Sequence, residues 1–373
     1  MITFINDFGK FPSSKKINCP KTPWTAGAAF FVAGSVFFMA KLDGSDLVIG
    51  GCGFIGANLC RELAGQGRET IALDNEFLGR KSNLDGAKCK VVVGDASDEE
   101  LLEKIITENN VKRIYHLGGY TASTMFTQGK LRYIDNLKLF GVILELARKH
   151  DVEVVYASTS AFYARCKKPF KEDMVIRPGT EYELSKYCME QQAHMYNLLY
   201  GMKVNGCRFF SVYGPFEKTK GRFANMISQF YWSMKNGVPP VIFGDGAQTR
   251  DFTYVGDLVQ AIAMIMDKGK GSEVYNIGAS HEYTLNELVK VMNKEMNTSV
   301  KPKYIPVPWK NYVKDNLADI SKIRKDIGWE PKTTLSEGIQ KIIKHGDSIS
   351  FQETLGLYEG IPVEWDYAKK DWK

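Results

Sequence analysis

The chain has 373 residues, 44% of them apolar and 25% charged, and a net charge of +6. That is ordinary globular composition, with length enough for two lobes. The mild charge contains no Lys/Arg block and no basic-aromatic stripe, so no nucleic-acid partner is expected. Seven cysteines, at 19, 52, 60, 89, 166, 188 and 207, show no close pair of metal-site spacing. Free thiols in a reducing compartment are the expectation, and no metal.

Residues 1–46 differ from the rest. Lys10, Lys15, Lys16 and Lys21 precede an uncharged run from Trp24 to Ala40, an order that mimics a signal peptide or membrane anchor. The run falls short of the roughly 20 apolar residues that span a bilayer. Two readings stay open: a spurious or disordered extension, with Met39 as the true start, or membrane contact through residues 24–40.

Leu47-Val48-Ile49 reads as a first strand ending in Gly50-Gly51-Cys52-Gly53-Phe54-Ile55-Gly56, followed by a helical pattern through Ala57, Leu59, Cys60 and Leu63. Strand, glycine turn and helix in that order make a phosphate cradle, because glycines allow close backbone approach and the helix start offers free amides. The spacing is Gly-x-x-Gly-x-x-Gly rather than Gly-x-Gly-x-x-Gly, so it carries weight only through its position between strand and helix. A second strand, Thr70–Leu73, ends at Asp74, where a carboxylate can bind ribose hydroxyls; a turn-forming Asp is the plainer alternative. An acid there favours NAD over NADP, although Arg80 and Lys81 follow closely. Further strands are expected at Val91–Val93, leading to Asp95, at Arg113–Leu117, ending in Gly118-Gly119, and at Glu153–Ala157, ending in Ser158-Thr159-Ser160. Helices are expected near 98–109 and 130–149. The alternation predicts an α/β fold with a doubly wound parallel sheet and ligands at the strand C-terminal ends.

Tyr182 and Lys186 lie four residues apart, one turn apart on one helix face. A free phenol titrates near roughly pH 10. A neighbouring ammonium favours the phenolate and would bring Tyr182 toward working pH as a proton-transfer group. The same spacing also occurs on ordinary solvated helix faces.

The chain resembles the extended short-chain dehydrogenase/reductases, specifically the NAD-dependent sugar-nucleotide epimerase/dehydratases. The resemblance runs in register over about residues 47–340. It rests on Gly50–Gly56, Asp74-Asn75, Gly79-Arg80, Asn83-Leu84, His116–Gly119, Asn136, Tyr156–Tyr163, Tyr182 with Lys186, and Arg208–Pro215. It continues through Gly244–Gly246, Gln248–Phe252, Asn276–Gly278, Leu317–Asp319 and Gly328–Pro331. The resemblance implies a Rossmann-like NAD-binding domain over 47–213, with 250–278 returning to it, and a smaller α/β substrate lobe over 214–345. It implies Thr159, Tyr182 and Lys186 as the catalytic set. For NAD it implies Gly50, Gly53, Phe54, Ile55, Gly56, Asp74, Asn75, Asp95, Ala96, Leu117, Gly118, Gly119, Asn136 and Phe210, with Tyr182 and Lys186. For the nucleotide sugar it implies Thr159, Ser211, Asn225 and Arg250, the arginine facing the diphosphate, a role its bidentate fork suits. A surface ion pair between Arg250 and Asp251 is the other reading. Departures from the family pattern are Ile49 for a Thr, Ala164 for a Gly, and Ser211 for an Asn.

Family dehydratases and decarboxylases carry a carboxylate directly after the catalytic Thr; here Ser160 and Ala161 follow. The resemblance therefore implies epimerisation, most simply at C4 of a UDP-hexose, with bound NAD regenerated each turnover. The stretch Lys220–Asn225 also resembles heptose-sugar 6-epimerases, which keeps a 6-epimerase open beside a dehydratase, a reductase and a non-catalytic NAD-binding regulator. A cytoplasmic homodimer is implied, built on the helix near 131–149 and the apolar series Leu184, Cys188, Gln191, Met195 and Leu198; simple packing of that series on the sheet is the plainer reading, and the two are not exclusive. The tail, 346–373, lies beyond the resemblance, and its Tyr358, Trp365, Tyr367 and Trp372 suit docking on the body or on a partner.

Overall fold

The structure, a computed structural model, describes residues 43–121, 125, 131–307, 313–366 and 368–372. The segment before residue 43, with the expected membrane contact at 24–40, lies outside the described residues, as do Cys19 and Tyr367. No described helix is long and apolar enough to cross a membrane.

The first half alternates strand and helix: β1 (Ser45–Ile49), α1 (Phe54–Gly65), β2 (Thr70–Asp74), β3 (Lys90–Val93), α2 (Glu99–Glu108), β4 (Val111–His116), α3 (Arg132–Lys149), β5 (Glu153–Thr159), α4 (Glu181–Tyr200) and β6 (Val204–Phe209). The apolar runs form strands because both sheet faces are covered, which is why β1 and β2 are buried at every position. The chain continues with β7 (Val212–Tyr213), α5 (Met226–Lys235), β8 (Val241–Phe243), β9 (Thr249–Asp251), β10 (Thr253–Tyr254), α6 (Val255–Lys268), β11 (Val274–Ile277), β12 (Glu282–Thr284), α7 (Leu285–Met296) and β13 (Lys303–Ile305). It ends with α8 (Ser321–Ile327), α9 (Leu335–His345), α10 (Phe351–Gly356), β14 (Trp365–Asp366) and β15 (Asp371–Trp372).

One seven-stranded parallel sheet runs β11-β6-β5-β4-β1-β2-β3, a Rossmann-like α/β fold. Leu63, Leu258 and Ile262 belong to one hydrophobic core, and Phe140, Ile143 and Met189 to another. A further core gathers α5, α7, α9 and the C-terminal segment around Trp232, Leu288 and Ile339. The connection order reverses between β1 and β4, leaving their C-terminal ends a crevice.

One detail differs from the sequence reading. The stretch Ala318–Trp329, expected in the small lobe, packs with α6 and β11 in the sheet's own core through Ile323, Ile327 and Trp329. On α4 the face turned to the sheet is Tyr182, Ser185, Lys186, Met189, Glu190 and Ala193, while Leu184, Met195 and Leu198 are exposed. The helix buries its polar side because the ends of β5 and β6 supply hydrogen-bond partners for it.

Candidate active site

A cavity of about 810 Å³ opens at the C-terminal ends of β1, β2, β4 and β5, and every residue singled out in the sequence for NAD, sugar or chemistry lies on its wall. On the β1 side the wall is the glycine turn. A side chain at Gly56 would place Cβ 2.0 Å from the Gly50 carbonyl oxygen, and Gly50 itself has φ +79° and lies against Gly118. Both must be glycine for α1 to start there. Gly53 meets only the Gly50 carbonyl, at 3.3 Å, so a side chain there would project into the cradle. No side chain caps α1 and no acid stands in its first turn. Its free amides and dipole therefore suit a diphosphate.

Asp74 closes the cradle. Its carboxylate accepts from the amides of Cys52 (3.0 Å) and Glu76 (2.8 Å). Burial raises its pKa while these amides, which favour the charged form, pull the other way. Asn75 donates to Asp95 at 2.9 Å. The Arg80 guanidinium donates to the carbonyls of Glu76 and Gly79 in its own loop, so it is occupied there. Asn136 bonds both ways with the Tyr120 backbone (2.9 and 3.0 Å) and donates to Ser185 (3.0 Å). Its amide thus fastens the Gly118–Tyr120 loop to α4.

Thr159 ends β5, and its Oγ1 accepts from the Ala161 amide at 3.1 Å, capping the short 3-10 turn Ser160–Arg165. The Thr159 hydroxyl stands on the cavity wall with Tyr182 and pulls the phenol's pKa down. Thr180 starts α4 as N-cap and so places Tyr182 and Lys186 in its first turns. Lys186 Nζ donates to the Ala157 carbonyl at 3.0 Å. Here the expected electrostatics need correcting. Burial holds Tyr182 above its usual pKa, with Glu183 adding to the rise, and Lys186 does not offset it. The lysine is itself buried and driven down to about 8, because desolvation disfavours its charge. Behind it, buried His116 is pushed down to about 3 by burial and by Lys186, and stays neutral.

Arg250 reaches the opposite wall from β9. It is 9% exposed and donates to the Thr249 carbonyl at 2.7 Å. Asp251 is engaged elsewhere, accepting from the amides of Ala279, Ser280 and Ala318, so it is no surface ion-pair partner. Asn225 caps α5, and its own amide donates to Glu217. Glu217, 1% exposed, also accepts from Lys220 (3.0 Å) and Ser228 (2.6 Å). The sequence reading missed this buried acid, and its only signal was a carboxylate before a basic stretch. Lys220, whose ammonium lies 5.2 Å over the Phe54 ring, and Phe223 and Asn316 also line the cavity. The carboxylates on the described wall are Asp74, Asp95 and Asp135, of which the first two end β2 and follow β3, on the cradle side.

The model of the NAD dependent epimerase/dehydratase family matches residues 47–278. A protein of Methanocaldococcus jannaschii, provisionally named UDP-glucose 4-epimerase, is 34% identical over 80% of this chain and 96% of its own. The UDP-glucose 4-epimerase of Thermotoga maritima, solved with UDP-glucose, is 30% identical with TM-score 0.76, over 83% of this chain and 99% of that one. The ADP-L-glycero-D-manno-heptose-6-epimerase of Helicobacter pylori is 29% identical with TM-score 0.72, over 82% and 99%. Other relatives are named UDP-glucuronate 4-epimerase and UDP-N-acetylglucosaminuronate decarboxylase. The similarity thus reaches NAD dependence and nucleotide-sugar chemistry, and it spans several sugars.

Proposed function

The chain belongs to the NAD dependent epimerase/dehydratase family, and on that footing we propose that it is a UDP-hexose 4-epimerase interconverting UDP-glucose and UDP-galactose or their N-acetyl forms. The observation that carries this reading is Thr159, Tyr182 and Lys186 together on one cavity wall, with Ser160 and Ala161, and no carboxylate, in the turn that follows. Such a set can oxidise and reduce a sugar carbon but has no acid beside it to drive elimination. NAD, when bound, supplies the reversible hydride store that turns the C4 alcohol into a ketone and back. The uncapped start of α1 and Gly53 fit its diphosphate, and Asp74 and Asn75 fit its adenosine end.

In this mechanism Tyr182 removes the proton of the sugar 4-hydroxyl. Thr159 turns its hydroxyl to the same oxygen. Lys186, on the same wall, would hold the nicotinamide ribose when NAD is bound. Arg250 pairs the diphosphate of the substrate, and Asn225 and Ser211 border the sugar. The 4-keto sugar turns over within the cavity and is reduced on its other face, Tyr182 returning the proton. The exposed Leu184, Met195 and Leu198 on α4 and Ile134 on α3 favour a homodimer through those helices. The chemistry and the unpaired cysteines among the described residues favour the cytoplasm. A 6-epimerase of nucleotide heptoses is the second reading, favoured by Lys220, Phe223 and Asn225 standing together on the cavity wall.

Tyr182→Phe tests the role of the phenol. Turnover is expected to fall about 10²–10⁴-fold, the usual contribution of a positioned acid/base group, with NAD and nucleotide affinity kept in equilibrium titrations. Near-native turnover would assign the proton transfer to another group.

A further inference from the structure

We propose that the buried Glu190–Arg208 pair is a positioning device that sets Thr159 against Tyr182 and Lys186; the inference rests on reading those three as the reacting set. Tyr182, Lys186 and Glu190 lie four residues apart along one face of α4. All three reach the end of β5. Tyr182 lines the cavity with Thr159, Lys186 donates to the Ala157 carbonyl, and Glu190 Oε1 accepts from Ser158 Oγ at 2.5 Å. The Glu190 contact is anchored from the neighbouring strand. Arg208 of β6 donates Nε to Glu190 Oε1 at 3.0 Å and Nη2 to Oε2 at 2.8 Å, a two-pronged pairing that fixes direction as well as distance.

The arginine then reaches past Thr159. Its Nη1 donates to Tyr163 Oη at 2.6 Å and to the Glu172 carbonyl at 3.2 Å. Tyr163 belongs to the turn that follows Thr159, and its hydroxyl donates to Asn276 on β11 at 2.8 Å. Thr159 is therefore bracketed: Glu190 holds the residue before it, and Arg208 holds the turn after it. The pair's side chains are each 5% exposed. Buried ion pairs are poor sources of stability, and well-packed apolar replacements are often neutral or stabilising. Registry between α4 and the end of β5 accounts for this one, because misplacement by about 1 Å can cost 10²-fold in rate.

Two variants test it in the full chain. Ser158→Ala removes the Ser158–Glu190 bond and keeps the ion pair. Glu190→Leu with Arg208→Met removes the pair and fills its volume. Both are expected to keep a cooperative thermal transition and NAD binding, to lose kcat about 10- to 100-fold on a UDP-hexose, and to change KM little. Ser158→Thr, which restores the hydroxyl, is expected to regain most of the rate. A second readout is the titration of Tyr182 in the NAD complex, followed by ring-carbon NMR with the signal assigned through Tyr182→Phe. The phenol's pKa is expected to rise once Thr159 is displaced from it. Wild-type kcat together with an unchanged titration in folded Ser158→Ala overturns the proposal, and that variant decides the matter if the double variant does not fold. Absence of turnover by the wild type on any nucleotide sugar would defeat the functional reading instead, and the titration would still decide the positioning claim.

Discussion

Lys186 carries the sharpest consequence at the scale of a single residue. Its ammonium is buried with one carbonyl partner, and its folded pKa is down to about 8, against about 10.4 in an unfolded chain. Below about pH 8 both states hold the proton, and the ligand-free fold bears the whole cost of the buried charge. From about pH 8 to about 10.4 only the unfolded chain holds it, so stability rises with pH across that window. Lys186→Met is therefore expected to stabilise the ligand-free protein at pH 7 by up to about 3 kcal/mol, with the gain shrinking toward pH 10. Urea denaturation at pH 7 and pH 9.5 reads the difference, and a gain independent of pH would refute the buried charge. The choice of a lysine that costs stability fits a group kept for the site.

At the scale of an element, α1 and α4 place the chemistry. Gly56→Ala forces a methyl to 2.0 Å from the Gly50 carbonyl, so α1 has to shift off the turn. Overpacking of this kind costs about 1–3 kcal/mol, and NAD affinity by calorimetry is expected to fall at least tenfold, a factor worth about 1.4 kcal/mol. Gly65→Ala at the far end of the same helix meets nothing within 4 Å and is expected to bind NAD as the wild type does. Equal affinity in both would remove the glycine turn from the cofactor's account. The glycine turn was readable in the sequence because strand, turn and helix follow one another within a few residues. The sheet-facing side of α4 was not, because its apolar series points outward and its buried side is polar. That polarity only makes sense once Ser158 and Arg208, distant in the chain, stand opposite. The strand of Arg250 was equally hidden. It is three residues long and is held by pairing with β12, whose partners no local pattern announces.

For the whole molecule, the C-terminal segment is part of the second core. Trp365 and Trp372 pack edge to face at 5.1 Å across β14 and β15. Trp372 donates to the Pro239 carbonyl at 2.7 Å, and Tyr358 shares a 2.7 Å bond with Ser233 of α5. The tail docks on the body of its own chain. Ending the chain at His345 would strip these aromatics from Trp232 and Ile242. A single buried Trp truncation costs about 3–5 kcal/mol, and this one removes Trp365, Trp372 and Tyr358 together, so the thermal midpoint is expected to drop by at least about 10 °C. An unchanged midpoint would show the tail to be a surface appendage.

The central claim is tested most directly by incubating the full chain with a panel of UDP-, GDP- and ADP-sugars and resolving the products by chromatography while following absorbance of reduced nicotinamide. The account predicts a 4-epimer from a UDP-hexose, with no net accumulation of NADH. A 4-keto-6-deoxy product, a decarboxylated sugar, or an epimer formed only from an ADP-heptose would contradict it.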